Sequence, residues 1–450
     1  MSDRRHPRRP DRRGLEESAM TTTVPPAVGA AEPVRRRLRV PPGVALGFLA
    51  SIIVSFLAAS SAPTPLYDLY ASRWGFSALT TTIIFSGYAV AVLAALLVLG
   101  RVSDHVGRRP VLLAALAGQG VAMLVFATAG GITALVIARI IQGLSAGAAI
   151  AAVGAGLVDI DRARGATANA VAPAIGTATG ALASALIVQF LSAPTQLVYY
   201  LLLTIFVVQA VGVVLLPETA RPRPGALASL VPRLALPRQL RRPVAVAAPT
   251  LFAVWALAGF HASLAPSLTK NLIGSTSAGY GGLSLFLFMT VAATAVFLLR
   301  AAPARIVLAV SLLALIAGVG GSLVSIGSGS ATGFLTGSAV AGIGFGAGMN
   351  GAVRLVVPLA GPHERAGVLS LLYAVSYLGM GVPVVVGGVL VVHGGGLLAT
   401  SQGYGIAALV LAAVALVGLG ISRQRAGDVA HQVPIQARAG RRPSPSGSLR

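Results

Sequence analysis

The ionisable residues that stand within or beside long apolar stretches are few enough to name. Arg139 lies inside one such stretch, with Gln142 three residues on, so a helix there puts both on one face. His261 is the only histidine well inside another, and imidazole titrates near neutral pH. Asp68 follows Pro63 and Pro65 in "APTPLYDLY". The densest group is "GRVSDHVGRRPVLL", Gly100–Leu113, which sets one carboxylate among three arginines and two glycines. A charge in apolar surroundings is costly, so each of these is a candidate for binding, for ion movement or for pairing between helices. Enzyme chemistry is poorly served. The chain has no cysteine, hence no thiolate nucleophile, disulfide or thiolate metal site. Asp104, Asp159, Asp161, Glu218 and Glu364 all sit at the ends of apolar stretches, and no acidic pair falls inside one. No metal site, cofactor or P-loop is written in the chain.

The surroundings of these residues are those of a membrane protein. Only 10% of the 450 residues are charged, against about 25% in a soluble domain, and the mean hydropathy is +0.83. A formal net charge of +22 would suggest nucleic acid, but the arginines gather in the tails and alternate loops with no interleaved aromatics. Nucleic acid is excluded as a partner. The expected partners are a small-molecule substrate and the lipid bilayer.

Twelve stretches are long enough to span: near 44–62, 79–99, 111–129, 132–158, 169–190, 197–216, 244–266, 281–299, 304–326, 333–357, 367–392 and 404–422. Of the 34 Lys and Arg, 31 fall on one side of this pattern; Arg73 and Lys270 fall on the other and Arg139 within a span. By the positive-inside rule the termini are cytoplasmic, in a bacterial cytoplasmic (inner) membrane. The expected organisation is a disordered basic tail (1–42), a six-helix half (43–217), a linker (218–243), a second six-helix half (244–423) and a disordered tail (424–450). Residues 217–243 hold six prolines, which exclude a long helix there. A repeat crosses the divide: "GLSAG" at 143–147 matches "GIGFG" at 342–346, and "DRARG" at 161–165 matches "ERAG" at 364–367. Two halves related in parallel are a transporter plan.

In the loop after the second span, Gly100, Asp104, Gly107, Arg108 and Arg109 have the spacing G-x-x-x-D-x-x-G-R-R. In that place the pattern resembles the loop signature of the major facilitator superfamily. "APTPLYDLYASRWGFS", "RIIQG" and "LPET" are similar to the family too, and the resemblance covers roughly residues 43–423. It implies an all-α membrane protein, twelve transmembrane helices in two six-helix pseudo-repeats. It also implies a secondary transporter working by alternating access, of the bacterial drug-efflux-like group. The loop is then expected to be a conformational latch. Gly100 would let two helices approach and Gly107 would make the tight turn. Asp104 would meet the positive end of span eleven near Ala366–Leu369, and Arg108 or Arg109 would meet Asp159 or Asp161. The plainer reading is a basic loop that only sets topology.

Arg139 and Gln142 resemble the family's R-x-x-Q-G motif, tied to proton transfer in antiporters; the other reading is an arginine that bonds backbone carbonyls. His261 is either a coupling group or a packing residue, and Asp68 a proton site or a solvated helix-end acid. Span five keeps Gly176 and Gly180 but lacks the Gly-Pro pair of the family's antiporter pattern. Protons are the candidate coupling ion. Ser370, Tyr373 and Tyr377 share a helix face, and with Trp255, Phe260, Tyr88 and Asn350 they are candidates to line a central cavity. Aromatics with a few hydroxyls suit an amphipathic solute. Export of a hydrophobic or amphipathic small molecule is the leading reading, with uptake of a small metabolite as the alternative. A non-transporting membrane sensor or a membrane-embedded enzyme is the reading from another class.

Overall fold

Inside a bilayer a backbone N–H or C=O finds a partner only in its own helix or in a closed barrel, so apolar stretches of this length become helices. The computed structural model describes residues 41–432 apart from Arg221, Arg233, Thr276 and Pro362, with side chains, Ala278 excepted, as far as Ile421. Twelve of its helices are long and apolar enough to span. The first six are α1 (Pro42–Ser61), α2 (Ala78–Leu99), α3 (Arg108–Ala127), α4 (Ile132–Ile160), α5 (Arg162–Phe190) and α6 (Pro194–Leu215). The second six are α7 (Arg241–Ser263), α8 (Leu283–Leu298, with 3₁₀ turns at both ends), α9 (Ala304–Gly327), α10 (Ala331–Val356), α11 (Arg365–His393) and α12 (Gly396–Gln432). Most of the tail residues 1–42 and 433–450 lies outside the described residues. The last helix runs on to Gln432 instead of stopping near 423, through a stretch with no proline to end it.

Local chemistry sets the ends. Pro42 and Pro194 open α1 and α6, where a missing N–H costs nothing. The Asp161 carboxylate accepts from the backbone N–H of Ala163 (3.0 Å) and Arg164 (2.9 Å). That cap is why α5 begins at Arg162, ahead of the apolar run expected from 169. Between α6 and α7 the described residues form only a short helix, Ala226–Ser229, and the 3₁₀ turn Arg238–Leu240. The side bearing this linker and the α2–α3 loop is called the linker face here. The opposite face carries two short helices, Tyr67–Trp74 after α1 and Ala265–Ile273 after α7.

Small residues bring the spans together. A Cβ on Gly143 or Gly147 of α4 would lie 2.7–2.8 Å from the carbonyl oxygens of Tyr88 and Val92 in α2. Gly342 and Gly346 of α10 press in the same way on the carbonyls of Phe288 and Ala292 in α8. The repeated "GLSAG" and "GIGFG" thus hold equivalent helix pairs, α4 on α2 and α10 on α8. Gly176 and Gly180 of α5 do the same against Val54 and Ala58 of α1. Each half has its own apolar core, one around Phe56, Phe126 and Phe206, the other around Leu251, Phe288 and Leu312. The halves meet along two seams. Tyr377, Met380 and Val384 of α11 join the first core beside α2, and Ala174, Ala178 and Ala181 of α5 join the second beside α8.

Gly180→Val forces backbones of α1 and α5 apart and is expected to destabilise the protein by about 1–3 kcal/mol, with loss of monodisperse material. Gly320→Val, where a Cβ meets nothing within 4 Å, leaves the melting temperature unchanged. Thermal unfolding of the two purified variants checks this.

Candidate functional site

The loop that the sequence singles out is bound by the linker. Gly107 turns the chain at φ 109° and starts α3. The Glu218 carboxylate then accepts from the freed N–H groups of Arg108 (2.8 Å) and Arg109 (3.0 Å), and from Ala220 (3.0 Å). A Cβ on Gly107 would stand 2.8 Å from that carboxylate. Burial pushes the Glu218 carboxyl up, but backbone N–H groups of Ala220, Arg108, Arg109 and Thr219 outweigh it and hold the group below its ordinary 4.5. Further along, Arg223 N–H donates to the His105 carbonyl (2.8 Å), and Arg101 donates to the carbonyls of Ser229 (3.1 Å) and Val231 (2.9 Å). Ala235 N–H then reaches the Gly367 carbonyl near the start of α11 (3.2 Å).

Within the loop, Arg108 donates to Ser103 (2.7 Å), Asp104 (2.5 Å) and Asp159 (3.4 Å), and Thr219 also donates to Asp159 (3.4 Å). Arg109 turns away to the carbonyls of Val213 and Val214 at the end of α6. Two details differ from expectation. Asp104 is 53% exposed, and its described bond is to Arg108, not to the start of α11. The atoms crowding Gly100 belong to Leu96 in its own helix, not to a second helix. Asp161 is a helix cap, 3.9 Å from Arg164.

On the opposite face the halves are joined by charge. Lys270, the only lysine in the chain, donates to Asp68 at 2.8 Å, and Ser267 donates to the same carboxylate at 3.2 Å. Asp68 belongs to Tyr67–Trp74 and Lys270 to Ala265–Ile273, short helices that follow the first span of each half and end in left-handed Gly75 and Gly274. Nearby, Thr64 donates to the Ala262 carbonyl (3.2 Å), Ser86 to that of Gly381 (3.1 Å), and Ser277 to Gln189.

Arg139 is wholly buried, with no carboxylate among its described partners. Its guanidinium donates to the Tyr67 hydroxyl (2.6 and 2.9 Å), the Ser60 carbonyl (2.8 Å) and Gln142 (2.7 Å), and Gln142 in turn donates to the Ala59 carbonyl (3.0 Å). The rings of Tyr67, Tyr88 and Phe126 lie 5.4–5.8 Å from it. The arginine therefore pins α4 to the end of α1 at the root of the Asp68 helix.

Trp255 packs against both cores, 4.9 Å from the Tyr377 ring and 5.7 Å from Phe345. Its indole N–H is buried without a partner, and Tyr373 and Asn350 are half-buried. Phe260 is elsewhere. It packs with His261, Leu264, Phe334 and Tyr404 inside the second half, so it does not line the centre. His261 stacks on Phe288 at 4.3 Å and its Nδ1 lies 2.8 Å from the Leu257 carbonyl. Its Nε2 has no partner and borders a cavity of about 30 Å³ with Ser322 and Ser401. The candidate residues thus occupy separate places: the linker-face loop, the Arg139 knot, the opposite-face ion pair, the seam at Trp255 and the His261 cavity.

Glu218 and Lys270 were not singled out by sequence reasoning. For Lys270 a signal existed, since "APTPLYDLYASRWG" and "APSLTKNLIG" occupy matching places in the two halves. Tyr67 is 72 positions from Arg139, and no local pattern joins them.

Two six-helix halves with glycine-packed repeats and charge ties at both faces define a polytopic helical transporter. The profile of the Major Facilitator Superfamily matches residues 44–303, and the chain belongs to that family. Among solved structures it is similar to the nucleoside transporter NupG (TM-score 0.64, 13% identity, 84% of this chain and 100% of that one). It is also similar to the human organic anion transporter MFSD10 (TM-score 0.60, 21% identity, 85% and 100%). These likenesses concern the fold. Over 67 residues it is 45% identical to a triacylglyceride transporter of Mycolicibacterium smegmatis and 42% identical to one of Mycobacteroides abscessus. That stretch is 15% of this chain, and it spans only 12% and 13% of those relatives.

Because the native Glu218 carboxyl lies below its ordinary value, its stabilisation is complete above about 4.5 and is lost as pH falls through the lowered value. Glu218→Gln is expected to melt lower at neutral pH and to lose less stability on acidification than wild type. Melting temperatures across that pH range test it.

Proposed function

We propose that this transporter works by alternating access in a bacterial cytoplasmic membrane, with termini and linker cytoplasmic, and exports a hydrophobic or amphipathic small molecule. One observation carries the mechanism: the described side-chain bonds between the halves lie toward one face, while the latch carboxylate at the other is exposed. On this reading the Asp68–Lys270 side is extracellular and closed. Asp104 waits for the start of α11 and engages it when the protein turns outward. The arginine bias supports the sidedness.

The substrate reading rests on the seam. Trp255, Tyr377 and Phe345 offer aromatic surface with an unused indole donor, which suits an apolar body with a hydrogen-bond acceptor. Four of the five N–H groups of Arg139 are already taken by Tyr67, Ser60 and Gln142, which disfavours a multiply charged anion. The short match to triacylglyceride transporters points the same way. Protons are the proposed coupling ion, with His261 the one histidine deep in a span and its Nε2 without a partner. Uptake of a small metabolite is the second reading, favoured by the half-buried amide of Asn350 on α10.

In a bacterial host stripped of its own exporters, wild type is expected to lower accumulation of amphipathic dyes, and a protonophore to abolish the effect. Trp255→Ala is expected to slow efflux about tenfold, the equivalent of ~1.4 kcal/mol. Equal accumulation with and without the protein across a broad panel, with the protein present in the membrane, rejects export and leaves uptake.

A further inference from the structure

The two seams between the halves are not equally closed along their length. Beside α8, helix α5 is packed from Ala174 through Ala181. Toward the linker face an open cleft of about 480 Å³ lies between them. Its walls are Ala168 and Val171 of α5 and Phe297 of α8, and its rim is Arg164 and Arg300. Arg300 is set in place: it donates to the Phe297 carbonyl at 2.7 Å, and its guanidinium lies 4.0 Å from the Phe297 ring centre. Among the described residues it has no acidic partner. Arg164 is 82% exposed, and among the described residues its one acidic neighbour is Asp161 at 3.9 Å, a carboxylate already capping α5.

We propose that this cleft binds an anionic phospholipid of the leaflet on the linker face, its phosphate between Arg164 and Arg300 and an acyl chain along Phe297, Ala168 and Val171. Depth and charge agree with that occupant. Both arginines lie at helix ends, at headgroup level. Val171, seven residues beyond Arg164 on α5, lies roughly 10 Å deeper at ~1.5 Å per residue. The cleft is therefore cationic at its mouth and apolar below, in the order in which a lipid is anionic and then apolar. A free phosphate would use the arginines and leave the apolar walls wet. A neutral lipid would cover the walls and leave Arg300 without an anion and Arg164 with only the distant, already engaged Asp161. The site does not depend on the substrate proposed above, since the occupant comes from the bilayer.

A chain without cysteine makes the test direct. Thr167 also lines the cleft, and Thr167→Cys carries a bimane fluorophore there in the full-length protein in phosphatidylcholine nanodiscs. Brominated phosphatidylglycerol is expected to quench it well beyond an equal mole fraction of brominated phosphatidylcholine. The preference falls about fivefold for each of Arg164→Ala and Arg300→Ala, and Arg300→Lys retains it. Equal quenching by the two lipids overturns the proposal, as does a preference unchanged in the double alanine variant. Relief of quenching by soluble glycerol phosphate overturns the lipid assignment in favour of a plain phosphate site. Unchanged melting temperatures in the arginine variants show that lost preference is not lost folding.

Discussion

Two helices in a bilayer gain nothing by hiding apolar surface from each other, because lipid is as apolar as leucine. Close backbone approach and buried polar ties must hold the fold instead. Both occur in this chain as repeated devices. Gly143 and Gly147 seat α4 on α2, and Gly342 and Gly346 seat α10 on α8. Within the first half, Arg139 adds a polar knot of a tyrosine hydroxyl, a backbone carbonyl and a glutamine amide. On the alternating-access reading proposed above, these contacts are what lets each half move as one body. Between the bodies, beside the two apolar seams, the described side-chain ties are hydrogen bonds and one ion pair toward one face.

The two faces are built differently. On the opposite face the short helices after α1 and α7 meet through Asp68 and Lys270, so the pair joins equivalent elements of the two halves. On the linker face the connection runs through the linker itself. Glu218 caps α3, the carbonyls of Ser229 and Val231 hold Arg101, and Ala235 reaches Gly367. The loop and the start of α11 are thus connected by a strap of irregular backbone even while Asp104 is exposed. A strap permits separation over a limited distance, whereas a direct carboxylate-to-helix contact does not.

Much of this was legible before any coordinates. Apolar length gave the twelve spans, because a helix that must cross lipid announces itself by composition. The glycine repeat gave the matching halves, because close approach needs residues without side chains. Charge at adjacent helix ends left Arg108 or Arg109 to meet Asp159 or Asp161, and the described contact is Arg108 with Asp159. What stayed hidden depended on distance in sequence. No local pattern joins Tyr67 to Arg139, and Lys270 opposite Asp68 is readable only by setting one half of the repeat against the other. Phe260 shows the same limit from the other side, for an aromatic beside Trp255 on one helix faces a different neighbour and joins the His261 cluster. The hold of the linker on the loop stayed hidden because helix ends can be inferred from sequence, whereas the path of a proline-rich linker cannot.

The central claim is that the Asp68–Lys270 face and the Asp104 face open in alternation. Spin labels at Ser72→Cys and Asn271→Cys report the first face, and labels at Val106→Cys and His363→Cys report the second, in a chain with no cysteine of its own. Distances for both pairs would be measured in nanodiscs with and without Lys270→Ala. The account predicts that losing the lysine lengthens the first distance and shortens the second together. A lengthened first distance with the second unmoved, or two distances that never change, would contradict it.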